Sequence, residues 1–224
     1  MRDPTVEGAG PPARVFVVDD HPVVREGLAA QIAAQPDLEL CGQAEGVADA
    51  LARVKELRPD VAVIDISLKD GNGIDLIKRL RAREDPVRVV VWSMYPENLY
   101  AERALRAGAA GYVHKGRATR EILEAIRSVL AGQVYLSPDV SAQLLARMVG
   151  GGPGGRSPVE ALSDRELETF GLLGRGLTTE QIAERMHLSP KTVETYRLRI
   201  KEKLGVRTVP ELIRLAAEWV LENG

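Results

Sequence analysis

A single cysteine, Cys41, stands among the 224 residues, so no disulfide framework can hold this chain together. That scarcity fits a reducing compartment, and the cytoplasm is the expected location. No stretch approaches the roughly 20 apolar residues that a membrane-spanning helix needs, so no membrane partner is expected. The opening residues, MRDPTVEGAGPP, contain no apolar core of the kind a secretory signal carries. Net charge is nearly absent as well: 30 basic against 32 acidic side chains leave −2 and exclude a uniformly basic coat. Any contact with nucleic acid must come from a local patch. What is present is ordinary globular composition, 45% hydrophobic and 28% charged, in a chain long enough for two domains.

Residues 1 to 13 are rich in glycine and proline and read as a loose arm. A second break runs from Gly150 to Pro158, where five glycines and two prolines fall within nine residues. Between the two, short apolar runs alternate with amphipathic stretches. The runs are Val15–Val18, Leu38–Cys41, Val61–Ile66, Val87–Trp92 and Gly111–Val113. The stretches are Pro22–Gln35, Val47–Leu57, Ile74–Arg83, Glu97–Ala107 and Thr119–Leu130. Five strands interleaved with five helices predict an α/β domain over 14–136, a doubly wound, five-stranded parallel sheet. Residues 137–160 form a linker, helical at its start over Ser137–Val149 and then Gly/Pro-rich. From 161 to 224 only helical patterns remain. Ser163 with Glu166, and Thr178 with Gln181, are capping boxes, and Ser189–Pro190 is a third helix start.

Carboxylates gather where strands end. Asp19 and Asp20 close the first strand and Asp65 lies near the end of the third. If the strand order is 2-1-3-4-5, the first and third strands are neighbours, and their carboxyl ends form a ligand crevice. Three like charges there would raise one another's pKa, and a hard divalent cation, magnesium, relieves that penalty. The fourth strand ends at Ser93 and the fifth is followed by Lys115. Carboxylates, a hydroxyl and a lysine at successive strand ends make a site for a phosphoryl group. This set resembles the receiver domain of two-component response regulators. The resemblance implies that Asp65 is the phosphoacceptor, and that Asp20 binds magnesium directly while Asp19 acts partly through water. It further implies that the Ser67 carbonyl is a ligand, that Ser93 and Lys115 contact the phosphoryl oxygens, and that Tyr112 is a switch aromatic that turns inward on phosphorylation. One departure is Lys69, where the family usually has proline; Gly71 and Gly73 still permit a tight loop.

The segment GLTTEQIAERMHLSPKTVETYRLRIKEKLGV holds a short helix, a turn and a longer helix, the plan in which the second helix enters the major groove of double-stranded DNA. On a helical wheel Val193, Ile200 and Leu204 share an arc that must face the domain core. The opposite arc carries Lys191, Thr192, Glu194, Thr195, Leu198, Arg199 and Glu202. From Ser189 to Arg207 there are six basic and two acidic residues, whereas the segment from Ala161 onward balances at ten of each. Positive charge is therefore concentrated on the candidate reading helix. Leu198 could touch a thymine methyl and Glu194 could accept from a cytosine amino group, with Lys191, Arg199 and Lys203 on phosphates. The string resembles the output domain of the NarL/FixJ subfamily, the LuxR-type helix-turn-helix. Together the two resemblances imply a phosphorylation-controlled transcription factor served by a sensor histidine kinase. The last helix, Thr208–Leu221, is more apolar than one face needs, and the resemblance implies that part of it pairs two copies.

Two other readings stay open at this stage. One is a DNA-binding protein whose first domain is a dimerisation or ligand-sensing scaffold. The other is a metal-dependent phosphohydrolase, for which neither a second activating group nor a substrate cleft is visible, so no enzyme is expected. His21, His114 and His187 lack zinc-site spacing and read as solvated or loop groups. Gly71–Gly73 is no dinucleotide fingerprint, because it follows the third strand and lacks a third glycine.

Overall fold

A computed structural model of the chain describes residues 11–149 and 158–223. Five parallel strands form one sheet: β1 (Ala13–Val18), β2 (Leu38–Ala44), β3 (Val61–Ile64), β4 (Arg88–Ser93) and β5 (Gly111–His114). Their order is β2-β1-β3-β4-β5, so the order reverses between β1 and β3. Each connection is a helix: α1 (Pro22–Ala33), α2 (Val47–Leu57), α3 (Gly73–Ala82) and α4 (Glu97–Ala107), with α5 (Thr119–Leu130) after the last strand. The strands are near-continuous apolar runs because helices cover both faces. Val15 and Val17 pack toward Leu28 and Ile32 of α1 and Ile126 of α5, while Phe16, Val18 and Ile64 pack toward α2, α3 and α4.

Two details differ from the sequence pattern. Strand β2 continues past Cys41 to Ala44, because its pairing with β1 resumes after a register shift between Val15 and Phe16. A small antiparallel pair, Ser67–Leu68 with Gly71–Asn72, fills the loop after β3. A Cβ at Gly73 would lie 2.0 Å from the Asp65 carbonyl oxygen, so only glycine lets the chain turn this closely under the acidic cluster. At the hairpin tip Asp70 accepts from the backbone amides of Val47 and Ala48, at 2.5 and 3.1 Å, tying the loop to the first turn of α2. Lys69 is exposed there, its Nζ 3.7 Å from Glu45. The tip is thus anchored through Asp70 without a proline.

After α5 the chain forms α6 (Pro138–Val149). The Gly/Pro-rich stretch at 150–157 and most of the expected N-terminal arm, residues 1–10, lie outside the described residues. Ala13, placed by sequence at the end of that arm, already pairs with Leu38. A single 3-10 turn (Pro158–Ala161) leads into α7 (Asp164–Gly174), α8 (Thr179–Arg185), α9 (Pro190–Leu204) and α10 (Val209–Asn223). Both capping boxes form, at Ser163/Glu166 and Thr178/Gln181, and Ser189 caps α9 with Pro190 in its first turn. Leu167, Phe170, Ile182, Val193, Ile200, Leu212 and Ala216 close the helical core. The apolar cluster on the α2–α4 side of the sheet runs on into this core without a break.

Candidate functional site: an acidic pocket and a basic helix

The topological reversal brings the strand-end residues together. Asp19, Asp65 and Ser93 are buried at the ends of β1, β3 and β4, and Lys115 follows β5. The Lys115 backbone amide donates to the Ser93 carbonyl at 2.8 Å, which aims its side chain across the pocket. Its ammonium lies 2.5 Å from Asp19 Oδ2 and 2.6 Å from Asp65 Oδ2. The other oxygen of Asp65 accepts from the Ile66 amide at 2.7 Å, and Asp19 Oδ1 accepts from the His21 amide at 2.9 Å.

Burial raises the Asp65 carboxyl above the usual range and the nearby Asp19 charge adds to this, while Lys115 works against the rise. Burial disfavours the Lys115 cation, yet Asp65 and Asp19 more than offset that and hold it protonated. The Ser93 hydroxyl is buried beside Asp65, whose carboxyl it helps to hold down against the effect of burial.

Asp19, Asp20, His21 and Asp65 offer ligand atoms within 4.8 Å of one another. Ser67 lines the same cavity. The carboxylates are the hard oxygen donors that a magnesium ion takes. His21 is exposed, as expected of a solvated residue, but its Nδ1 lies 2.7 Å from Asp20 Oδ1. His187, in the turn between α8 and α9, reaches the same carboxylate at 3.4 Å. Tyr112 is the expected switch aromatic. Its ring lies inward in this structure, 1% exposed, and its hydroxyl donates to the Tyr95 carbonyl at 2.8 Å.

On α9, Val193 and Ile200 are fully buried and Leu204 is partly buried. Lys191, Glu194, Thr195, Leu198, Arg199 and Glu202 are exposed, with Thr192 intermediate. Glu194 is held by the Thr179 hydroxyl at 2.8 Å and by Arg197. Leu198 is 53% exposed, so nothing in the fold accounts for its apolar side chain. Lys203 differs from its expected place on a phosphate: its ammonium lies 2.6 Å from the capping-box carboxylate of Glu166 and 3.2 Å from the Ala161 carbonyl. Three residues to which the sequence assigned no role, Asn72, Tyr95 and Glu168, meet where the two domains touch. Beside them a cavity of about 710 Å³ separates the domains, floored by Asp20, Asp65 and Lys115 and roofed by Leu172, Arg175 and Arg185.

Residues 15–127 match the family described as response regulator receiver domain, and residues 160–216 match bacterial regulatory proteins of the luxR family. The chain is 41% identical over 205 residues to the DNA-binding transcriptional activator DevR/DosR of Mycobacterium tuberculosis, spanning 92% of this chain and 94% of that one. It is 38% identical to the response regulator GacA of Pseudomonas protegens, over 91% of this chain and 94% of the relative. The fold is similar to RcsB of Salmonella enterica serovar Typhimurium, solved bound to promoter rprA with a phosphomimetic. That likeness has a TM-score of 0.62 at 23% identity, and covers 92% of this chain and 98% of RcsB. The strand-end pocket, the exposed face of α9 and these relatives agree, and the chain belongs to the NarL/FixJ family of two-component response regulators, a receiver joined to a LuxR-type DNA-binding domain.

Proposed function

We propose that Asp65 takes a phosphoryl group from a sensor histidine kinase, and that this modification controls how the helix-turn-helix domain engages DNA. The observation that carries the reading is the convergence of Asp19, Asp65 and Lys115 beside the buried Ser93 hydroxyl. A carboxylate oxygen of Asp65 attacks the phosphorus of the kinase's phosphohistidine. The P–O bond forms as the P–N bond breaks, and the imidazole keeps the electron pair. Lys115 leaves the Asp65 carboxylate and Ser93 turns its hydroxyl to meet phosphoryl oxygens. Asp20, Asp65 and the Ser67 carbonyl would hold magnesium, with Asp19 through water, and the ion supplies neutralisation of charge on the transferring group. The change of state is a population shift, sized by how differently the two receiver states bind the phosphoryl group.

On α9, Leu198 and Glu194 are the proposed base readers, against a thymine methyl and a cytosine amino group. Lys191, Thr192, Thr195 and Arg199 contact phosphates and the groove wall. Lys203 would have to leave Glu166 to reach a phosphate, as Glu194 would have to leave Thr179 and Arg197 to reach a base. On α10, Leu212 and Ala216 are buried while Val209 and Ile213 are 39% and 42% exposed, which supports core packing by one face and pairing of two copies by the other. The protein acts in the cytoplasm on duplex DNA and turns over no outside substrate. The test is intact mass after incubation with acetyl phosphate, with and without magnesium, on wild type and Asp65→Asn. One phosphoryl adduct that needs both magnesium and Asp65 is expected. An equal adduct on Asp65→Asn would remove Asp65 from the role.

A further inference from the structure

Helix α1 carries a glycine in its interior that the fold does not ask for. Gly27 lies midway between Pro22 and Ala33, where glycine costs backbone entropy that alanine would not. Its φ is not left-handed, and a Cβ built on it would meet nothing within 4 Å. No turn and no close packing within the chain therefore requires it. Val23 and Gln31 stand four residues to either side, on the same face of the helix, and all three line the cavity between the domains. Gly27 is a notch in one wall of that cavity. Other walls carry apolar side chains that also lack a folding role: Val23 is 80% exposed and Met94 60%, with Trp92 and Leu172 bordering the same space. One such side chain is ordinary on a protein surface, but several opening on one concave space mark a binding site. The cavity, about 710 Å³, falls in the range of small-ligand pockets, about 300–1,000 Å³. Enclosed by walls from both domains, it has room for a small molecule and not for a folded partner.

Charge says which molecule. The acids of the floor already have partners: Lys115 lies 2.6 Å from Asp65, and His21 and His187 reach Asp20 at 2.7 and 3.4 Å. The cations of the roof do not. Among the described residues the guanidiniums of Arg175 and Arg185 have no hydrogen-bond or ion-pair partner, and both line the cavity. The charge left unanswered around this space is thus positive, and two arginine forks suit a carboxylate or sulfonate. We propose that the cavity binds a small amphipathic organic anion, its apolar body in the Gly27 notch against Val23, Trp92 and Met94 and its acid group at Arg175 and Arg185. The protein would then sense a metabolite directly, and the site does not depend on the role proposed for Asp65. Because Asp65 shares the floor, an occupant would also stand between that carboxylate and solvent. Touching both domains, it would favour their docked arrangement by its differential affinity alone.

The test titrates the full-length protein, without phosphoryl donor, with anilinonaphthalene sulfonate, an aromatic anion whose fluorescence reports binding. Bound dye is then displaced with decanoate, decanol or decylamine. The variants are Gly27→Leu, which fills the notch, and the pair Arg175→Gln with Arg185→Gln, which keeps the roof polar and removes its charge. One dye molecule per chain is expected, displaced by decanoate at a concentration about tenfold lower than decanol needs, and least by decylamine. Gly27→Leu should weaken dye and decanoate about tenfold, and the arginine pair should weaken decanoate as much while leaving decanol unchanged. Decanoate should slow amide exchange in wild type over both 23–31 and 172–187. Gly27→Leu should melt no lower than wild type, since leucine is the better helix former and has room there. If it melts lower, the arginine pair, whose side chains are exposed, decides alone. Dye held as tightly by both variants as by wild type would overturn the site. Equal displacement by decanoate and decanol in wild type would overturn its choice of an anion, and slowed exchange in one domain only would overturn an occupant that touches both.

Discussion

Asp65 sits almost out of solvent beside Asp19, and burial with that neighbouring charge raises its carboxyl while Lys115 pulls the other way. A carboxyl that is harder to ionise folded than unfolded costs stability as pH rises from the unfolded value of about 4 toward the higher folded one. Above the folded value the loss is complete. Asp65→Asn, without donor or magnesium, should therefore melt higher than wild type at pH 7. The gain should shrink as pH falls toward 4, as thermal unfolding across that range will show; an equal gain at every pH would mean packing and not charge. Asp19, Asp65, Ser93 and Lys115 were legible as a set because strand ends in a doubly wound sheet converge by topology alone. Lys203 was not, since its sequence position fits a phosphate contact equally well, and the approach of Glu166 from α7 decides its place. Nor was the inward ring of Tyr112, which depends on the carbonyl of Tyr95 seventeen residues earlier.

Among elements, the helix starts carried the clearest signals. Ser163 accepts from the Glu166 amide while Glu166 accepts from the Ser163 amide at 2.7 Å, so α7 begins where its capping box places it. Ser163→Ala should cost the helical domain about 1 kcal/mol, read as a lower denaturant midpoint with an unchanged slope. A loss confined within error would mean that Lys203, bonded to the same carboxylate, fixes the turn without the serine. The hairpin Ser67–Leu68 with Gly71–Asn72 left no trace in the sequence, because two-residue arms are too short to show an alternating period. Gly73 does mark it in hindsight, since a side chain there would meet the Asp65 carbonyl. Helix α10 shows the limit of apolar counting: Leu212 and Ala216 are core while Val209 and Ile213 remain partly exposed, a division the wheel alone does not give.

At the scale of the whole molecule, an α/β domain followed by a helical one was readable from composition and periodicity, and the resemblance implied a receiver and a helix-turn-helix. Their docking was not readable. Glu168 on a charged helix looks like a solvated side chain until Tyr95 and Asn72 are seen to cover it. Contacts between distant segments leave no local pattern in either segment. The docked arrangement also puts His187 within 3.4 Å of Asp20, so the DNA-binding domain borders the pocket that would receive the phosphoryl group. Through that shared border the proposed chemistry at Asp65 would reach α9, some 130 residues away along the chain. The most direct test of this coupling is one titration of the full-length protein onto a twofold duplex, repeated with acetyl phosphate and magnesium and with Asp65→Asn. The account predicts that the donor tightens wild type at least tenfold and leaves Asp65→Asn where it was. Equal affinity for wild type with and without donor, in samples whose mass shows the adduct, would contradict it.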